Sequence, residues 1–269
     1  MLAEMAGEGE SRYRIAEVAE SIRPVALRYF CTCGSTHDLA DSAARAGSLV
    51  GPTLFLTSRQ VSGRGRAGNT WWSGRGCITA TLAFPTRAGM NSAELSIRAV
   101  AAIHRAILDT SDLPVLIKWP NDLLLHDRKL GGVLCARSSG FDLVGFGINA
   151  NLDRADAPDE LRDAITSLAA LGTPVDLTHL VARICQSLRS HLFDKTLEPF
   201  SAVLGWYSRH HRLTGLPVQV YLPDGRSVCG TCTGLTPTGQ LLLQAGPNTE
   251  ALSAGHVVWS AAEADRRES

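Results

Sequence analysis

The stretch Lys118-Trp119-Pro120-Asn121-Asp122-Leu123-Leu124-Leu125-His126-Asp127-Arg128-Lys129-Leu130-Gly131-Gly132 decides the fold. A short apolar strand, Val115 to Lys118, ends at Pro120, which cannot donate to a ladder. Asp122 to His126 and Lys129 to Ala136 are runs of strand length, and the Asp127-Arg128 step between them reads as a hairpin turn. Gly131-Gly132 strips two side chains from a place where a ligand or another backbone comes close. The chain has three lysines against 23 arginines, and two of the three, Lys118 and Lys129, stand here. Where lysine is so rare, a retained one marks a need for a compact point charge on a slim stem.

Working outward, Asp142 to Asn149 reads as the next strand. Upstream, residues 25–33, Thr53 to Thr57 and Cys77 to Phe84 are strand-like, while 58–76 is polar, glycine-rich and irregular. Thr36 to Ala46 reads as a helix opened by Ser35/Thr36. Asn91 to Leu108 is the clearest helix: Asn91 with Glu94 resembles a capping box, and Ile97, Val100, Ile103/His104 and Ile107 share one face. Leu177 to Phe193 and about Glu198 to His210 supply two more. After Leu213 short strands alternate with turns at Pro223-Asp224-Gly225 and Thr238-Gly239, the pattern of a small barrel. The expected architecture is an α+β (or α/β) body with a small C-terminal β-barrel. Its parts are a lead-in over 1–24 with one amphipathic patch, a body over 25–212, a barrel over 213–262 and a tail over 263–269.

With 269 residues, 45% hydrophobic and 19% charged, the chain can bury a sizeable core. Its 26 basic and 26 acidic residues cancel, which argues against a nucleic-acid coat or a polybasic membrane binder. No apolar run reaches the ~18 residues of a membrane span. Residues 1–20 carry five glutamates and resemble neither a signal nor a transit peptide, so a cytoplasmic protein is expected. Seven scattered cysteines fit reduced, structural thiols. Cys229-x-x-Cys232 has zinc-like spacing, but no second pair is near except Cys31-x-Cys33, and a barrel strand is the plainer reading. His210-His211 ends a helix and reads as surface.

Gly63-Arg64-Gly65-Arg66-Ala67-Gly68 matches G-x-G-x-x-G literally, yet no helix follows, and no Asp or Glu occurs between residues 42 and 93. Dinucleotide binding is therefore rejected. Six arginines stand in that acid-free stretch. Arg64 and Arg66 among glycines suit a carboxylate or phosphate, and Trp71 and Trp72 offer a planar surface for a base. The bland alternative is a solvated loop anchored by a tryptophan.

Taken together, these segments resemble the biotin–protein ligase family. The resemblance rests on Gly34-Ser35-Thr36, on Gln60 followed by GRGRAG and Trp71-Trp72-Ser73, on KWPNDLLLHDRKLGG, and on Gly145-Phe146-Gly147-Ile148-Asn149, in the family's order and spacing over residues 30–260. It implies a catalytic domain related to class II aminoacyl-tRNA synthetases, with a mixed sheet and flanking helices, then an SH3-like barrel. The implied reaction joins biotin to the α-phosphate of ATP, with Mg²⁺, and passes biotin from biotinyl-5′-AMP to a lysine of a biotin carboxyl carrier domain.

By the same resemblance Ser35, Thr36, His37 and Gln60 hold the biotin head group, with Gly132 beside it. Arg64, Gly65 and Arg66 wrap the carboxylate and phosphate, and Lys129 bridges them. Arg66 and Lys129 are the implied catalytic pair. Trp71 stacks on adenine, and Lys118, Asn121, Asp122 and Asn149 line the nucleotide and metal side. No side chain acts as a covalent nucleophile. His37 stands where the family often has Asn, and Asn69 where a further cation is usual. Lipoate–protein ligases and octanoyltransferases share the fold but not these signatures. The roughly 30 residues before the first motif are too few for the winged helix that some family members carry. A monofunctional ligase is expected, with no DNA or membrane partner and with a homodimer in keeping with the family.

Overall fold

The structure is a computed structural model that describes residues 4–6, 11–172 and 174–259. The strands of the body are β1 (Glu4–Ala6), β2 (Ala26–Cys33), β3 (Thr53–Gln60), β4 (Gly63–Arg64), β5 (Thr70–Trp71), β6 (Cys77–Pro85), β7 (Leu116–Lys118), β8 (Asp122–Leu125), β9 (Arg128–Ser138) and β10 (Phe141–Asn149). Eight of them form a mixed sheet in the order β1-β2-β3-β6-β10-β9-β8-β7, while β4 and β5 pair separately as a hairpin. β1, β2 and β3 run parallel, and the remaining pairs are antiparallel.

The helices are α1 (Ile15–Ser21), α2 (Thr36–Arg45), α3 (Ser92–Leu108), α4 (Asp159–Arg162), α5 (Leu177–Leu192) and α6 (Phe200–Arg209). The N-cap of α3 forms as expected, with Asn91 Oδ1 accepting from Glu94 N at 2.9 Å. Its apolar stripe is fully buried: Val100, Ile103 and Ile107 each have 0% exposure. Burying such a branched side chain contributes about 1.5–3 kcal/mol. α3 and α5 cover one face of the sheet, and α2 packs on the other over Phe55, Ala83 and Leu143.

Strand alternation then sets the site. Along β10, Val144, Phe146 and Ile148 point into the α3/α5 core, and Leu143 points to the α2 face. Gly145 and Gly147 share Leu143's face. Past the N-terminus of α2 that face carries no helix among the described residues, and the β4–β5 hairpin overhangs it through Trp71.

Four expectations need correction. The segment expected as a lead-in belongs to the body: Tyr13, Val18 and Ile22 are buried in the main core, and Arg14 N donates to Thr178 Oγ1 at 3.0 Å. Residues 1–3 and 7–10 lie outside the described residues. The turn between β8 and β9 is His126-Asp127, not Asp127-Arg128, because both residues take positive φ (50° and 59°) and Leu125 pairs with Arg128. A two-residue turn of that kind matches the strands' twist. Within the supposedly irregular 58–76, β3 runs on to Gln60 and β4–β5 is a hairpin. His211 is buried, not on the surface; its Nδ1 meets Thr214 Oγ1 at 3.0 Å.

The C-terminal strands are β11 (Pro217–Tyr221), β12 (Ser227–Leu235), β13 (Leu241–Ala245), β14 (Asn248–Leu252) and β15 (His256–Val258). They form an antiparallel sheet in the order β14-β13-β12-β11-β15. Val218, Val220, Cys232, Leu241, Leu243 and Val257 make its interior. Cys229 is exposed while Cys232 is buried, so the two thiols do not converge, and no cluster of three or more His, Cys, Asp or Glu exists among the described residues. Residues 260–262 of the expected barrel, and the tail 263–269, lie outside the described residues. Trp119 Nε1 donates to Gly239 O at 3.1 Å, which ties this sheet to the body. Among the described residues no helix is long and apolar enough to cross a membrane.

Candidate active site

A cavity of about 350 Å³ lies over the bare glycines of β10. Its walls are the start of α2, the β4–β5 hairpin, the Lys118–Gly132 stretch, and the Tyr221 and His256 ends of two strands of the C-terminal sheet. A volume of that size suits a small organic molecule.

One end is polar and neutral. Ser35 Oγ caps α2 by accepting from His37 N at 3.2 Å, so the following residues point into the cavity mouth. Gln60 Oε1 accepts from Thr36 N at 2.8 Å, and Thr36 Oγ1 meets Thr81 Oγ1 at 3.0 Å. These bonds fix the donors and acceptors before any ligand arrives. His37 Nδ1 is buried and has no partner. Burial pushes this imidazole below its usual range, against the pull of Asp38 and Asp41. It is neutral at pH 7 and holds an unmet hydrogen-bonding atom next to Gly145, where an added Cβ would stand 3.1 Å from it.

The other end is cationic. Lys129 Nζ is 2.8 Å from Asp122 Oδ1. Gly132 makes room for this pair: a Cβ there would lie 3.3 Å from Asp122 Oδ1 and 3.6 Å from Lys129 Nζ. Arg66 Nη1 donates to Asn121 Oδ1 at 3.1 Å, and Asn121 Nδ2 donates to Val133 O at 2.7 Å. The carboxamide therefore orients the guanidinium without neutralising it. Arg64 pairs with Asp38 at 2.8 Å at the exposed rim. Such a solvated pair is worth at most ~1 kcal/mol and is readily exchanged for a bound anion. Lys118 is 5% exposed, with its ammonium 4.1 Å from the Trp259 ring centre. That contact is a cation–π arrangement.

Between the two ends stands Trp71. It lies against Gly147, whose Cβ would come within 2.3 Å of indole Cε2. Its ring faces Lys129 Nζ at 5.9 Å. The glycine hairpin that carries it closes through Gly65 N to Asn69 O at 2.7 Å, with Ala67 and Gly68 at positive φ (53° and 80°). Asn69 thus acts through its backbone.

Of the residues singled out in the sequence, Ser35, Thr36, His37, Gln60, Arg64, Gly65, Arg66, Trp71, Lys118, Asn121, Asp122, Lys129 and Gly132 all line this cavity. Asn149 does not. It is buried beneath the wall, with Nδ2 donating to Lys129 O at 3.3 Å. Sequence reasoning missed Thr79 and Thr81, whose polar period of two within CITATLAF is a usable signal. It also missed Tyr221 and His256, which carry none, because their approach depends on how the C-terminal sheet docks.

Fold and cavity together define a mixed-sheet scaffold with a concave site that is neutral and polar at one end and cationic at the other. Residues 29–153 match the model of the Biotin/lipoate A/B protein ligase family. A biotin–[acetyl-CoA-carboxylase] ligase of Mycobacterium tuberculosis is 30% identical over 241 residues, covering 84% of this chain and 85% of that protein. The bifunctional ligase/repressor BirA of Bacillus subtilis is 28% identical over 218 residues, 78% of this chain and 65% of that protein. This chain thus matches just under two thirds of the bifunctional relative's length. The solved biotin protein ligase from Aquifex aeolicus, in complex with biotin and ATP, superposes with a TM-score of 0.75 at 22% identity, over 87% of this chain and 99% of that one. The chain belongs to the biotin–protein ligase family.

Proposed function

We propose that this protein adenylates biotin with ATP and transfers the biotinyl group to a lysine of a biotin carboxyl carrier domain. The observation that carries the reading is the Lys129–Asp122 pair beside Arg66, in a cavity whose far end holds a preset neutral hydrogen-bonding array. A ureido ring is neutral, rigid and bipolar, and Thr36, Gln60, Thr81 and His37 offer donors and acceptors of that kind. A carboxylate and a triphosphate repel, so bringing them together requires fixed cations, which Arg64, Arg66, Lys118 and Lys129 supply. Lys129 stabilises the charge that develops as the carboxylate oxygen bonds to the α-phosphate and pyrophosphate leaves. Trp71 is the platform for adenine. Mg²⁺ enters with ATP as part of the substrate, and the Asn121 and Asp122 oxygens stand on that side.

The carrier lysine's amine then attacks the mixed anhydride and displaces AMP. The name of the mycobacterial relative supports a carboxylase subunit as acceptor. The same reading divides the chain into a synthetase-like body over 25–212 and an SH3-like barrel over 213–262, supported by five short antiparallel strands. The test is pyrophosphate release with ATP, Mg²⁺ and either biotin or lipoate. Biotin-dependent release is expected, and release with lipoate alone moves the protein to the sister group.

A further inference from the structure

Asn149 lies outside the cavity, yet both ends of its amide are bonded, one of them to the backbone of the lysine at the centre of the site. Nδ2 donates to Lys129 O at 3.3 Å, and Oδ1 accepts from Cys77 Sγ at 3.3 Å. Cys77 and Asn149 are direct cross-strand partners at the matching ends of β6 and β10. Both are buried, at 0% and 2% exposure. Lys129 O also accepts from Thr166 N at 3.0 Å, and Lys129 N donates to Ala164 O at 2.8 Å. The lysine's backbone is therefore clamped on one side by the 164–166 segment and on the other by Asn149.

An amide can be turned either way about its last torsion, and only one orientation puts NH₂ toward Lys129 O. The Lys129 carbonyl, which can only accept, demands that orientation, and the thiol reinforces it from the other end. A buried S–H offers a donor, and it faces Oδ1; burial raises the Cys77 thiol to about 11, so the proton stays on sulfur at neutral pH. Cys77 packs with Leu152, Ala157 and Ile165, the apolar cluster that backs the 164–166 segment. One small residue thus bonds one arm of the clamp and shares an apolar cluster with the other.

We infer that Cys77 is a positioning residue for Lys129, acting through Asn149: its thiol reinforces the Asn149 amide, and the amide holds the Lys129 main chain so that the ammonium meets the reacting oxygens. The inference rests on the functional reading above. It predicts a larger effect on kcat than on KM for biotin and ATP, because only Lys129 is displaced while the Thr36, Gln60 and Thr81 array and Trp71 are untouched.

The experiment is steady-state, biotin-dependent pyrophosphate release, with a biotin carboxyl carrier domain present to consume the adenylate, by wild type, Cys77→Ala, Cys77→Ser, Asn149→Asp and Lys129→Ala, with each variant's folding checked by thermal melting. Cys77→Ala should lower kcat about tenfold, the scale of one buried hydrogen bond, with KM for biotin and ATP changed less than twofold. Cys77→Ser keeps a donor and should recover most of the loss. Asn149→Asp places an acceptor against Lys129 O and should be at least as impaired as Cys77→Ala. Should Cys77→Ala fail to fold, the Cys77→Ser and Asn149→Asp comparison still decides. A wild-type kcat in Asn149→Asp, or a Cys77→Ser variant no better than a folded Cys77→Ala, overturns the inference. A wild type without biotin-dependent release overturns the functional reading instead.

Discussion

Lys129 Nζ and Asp122 Oδ1 stand 2.8 Å apart across the β8–β9 hairpin, and Gly132, opposite Asp122, leaves them the space to meet. The lysine is thereby held extended into the cavity before any anion arrives, with one carboxylate contact to exchange. Removing Lys129 does two things: it deletes a cation and leaves Asp122 uncompensated beside the proposed phosphate site.

Lys129→Ala should therefore lower biotin-dependent pyrophosphate release by about a hundredfold or more, the usual scale for losing a charge-stabilising group. Lys129→Ala combined with Asp122→Asn should recover part of that loss. Initial rates at saturating ATP and biotin measure both, and a single variant within threefold of wild type would contradict the role.

Gly147→Val should displace Trp71, since even a single Cβ at 147 would come within 2.3 Å of the indole. The expected result is a KM for ATP raised at least about tenfold, with a smaller change in biotin affinity. Isothermal titration of each ligand separates the two. Equal loss of both would place Trp71 elsewhere in the chemistry.

Trp119→Phe should weaken the hold of the C-terminal sheet. The indole N–H to Gly239 O is the removed bond, and a buried carbonyl is left unpaired. The expected cost is about 1–3 kcal/mol, read from urea midpoints. An unchanged midpoint would mean that the sheet docks by apolar contact alone.

Acid should unfold this protein through two buried histidines. Burial depresses His104 and His211 from 6.5 to about 4. His104 is further locked neutral, with Nε2 donating to Val115 O at 2.8 Å and Nδ1 accepting from Trp206 Nε1 at 3.2 Å. The unfolded chain takes up protons at a higher pH than the fold does. This contribution is therefore fully present well above pH 6.5 and is lost as the pH drops toward 4, by about 3 kcal/mol for each histidine. Urea titrations at pH 7, 5.5 and 4.5 check the slope, and His104→Gln should flatten it.

Much of this was readable from side chains whose local physics dominates. The α3 stripe, its Asn91 cap, the glycine pairs and the two lysines each announce themselves within a dozen residues. The legible part of the site is the part whose chemistry is carried by charge and glycine. What escaped depends on tertiary docking. β14 reads Asn-Thr-Glu-Ala-Leu, a polar run that becomes a strand only because β13 offers it a partner. Residues 15–21 are too few to signal a helix alone, and α5 supplies the surface that orders them. His211 looked like a surface residue because its neighbour closes a helix, but Ile117 bridges to its backbone and buries it. Asn149 sits in a motif with a bare-faced strand, yet lies one layer below the ligand surface.

On the proposed chemistry, the placement of the lysines bears on the fate of an activated acid made in the cavity. An acyl adenylate that escapes modifies any free amine it meets, and the enzyme's own surface is the first it encounters. Lys118 is buried beneath Trp259, and Lys129 is ion-paired to Asp122 within the cavity, so Lys195 is the one lysine exposed outside it. Guanidinium groups, protonated at all working pH values, carry the rest of the positive charge. This surface is a poor sink for its own electrophile, and mass spectrometry after incubation with biotin and ATP should find self-acylated lysine outside the cavity at position 195 alone.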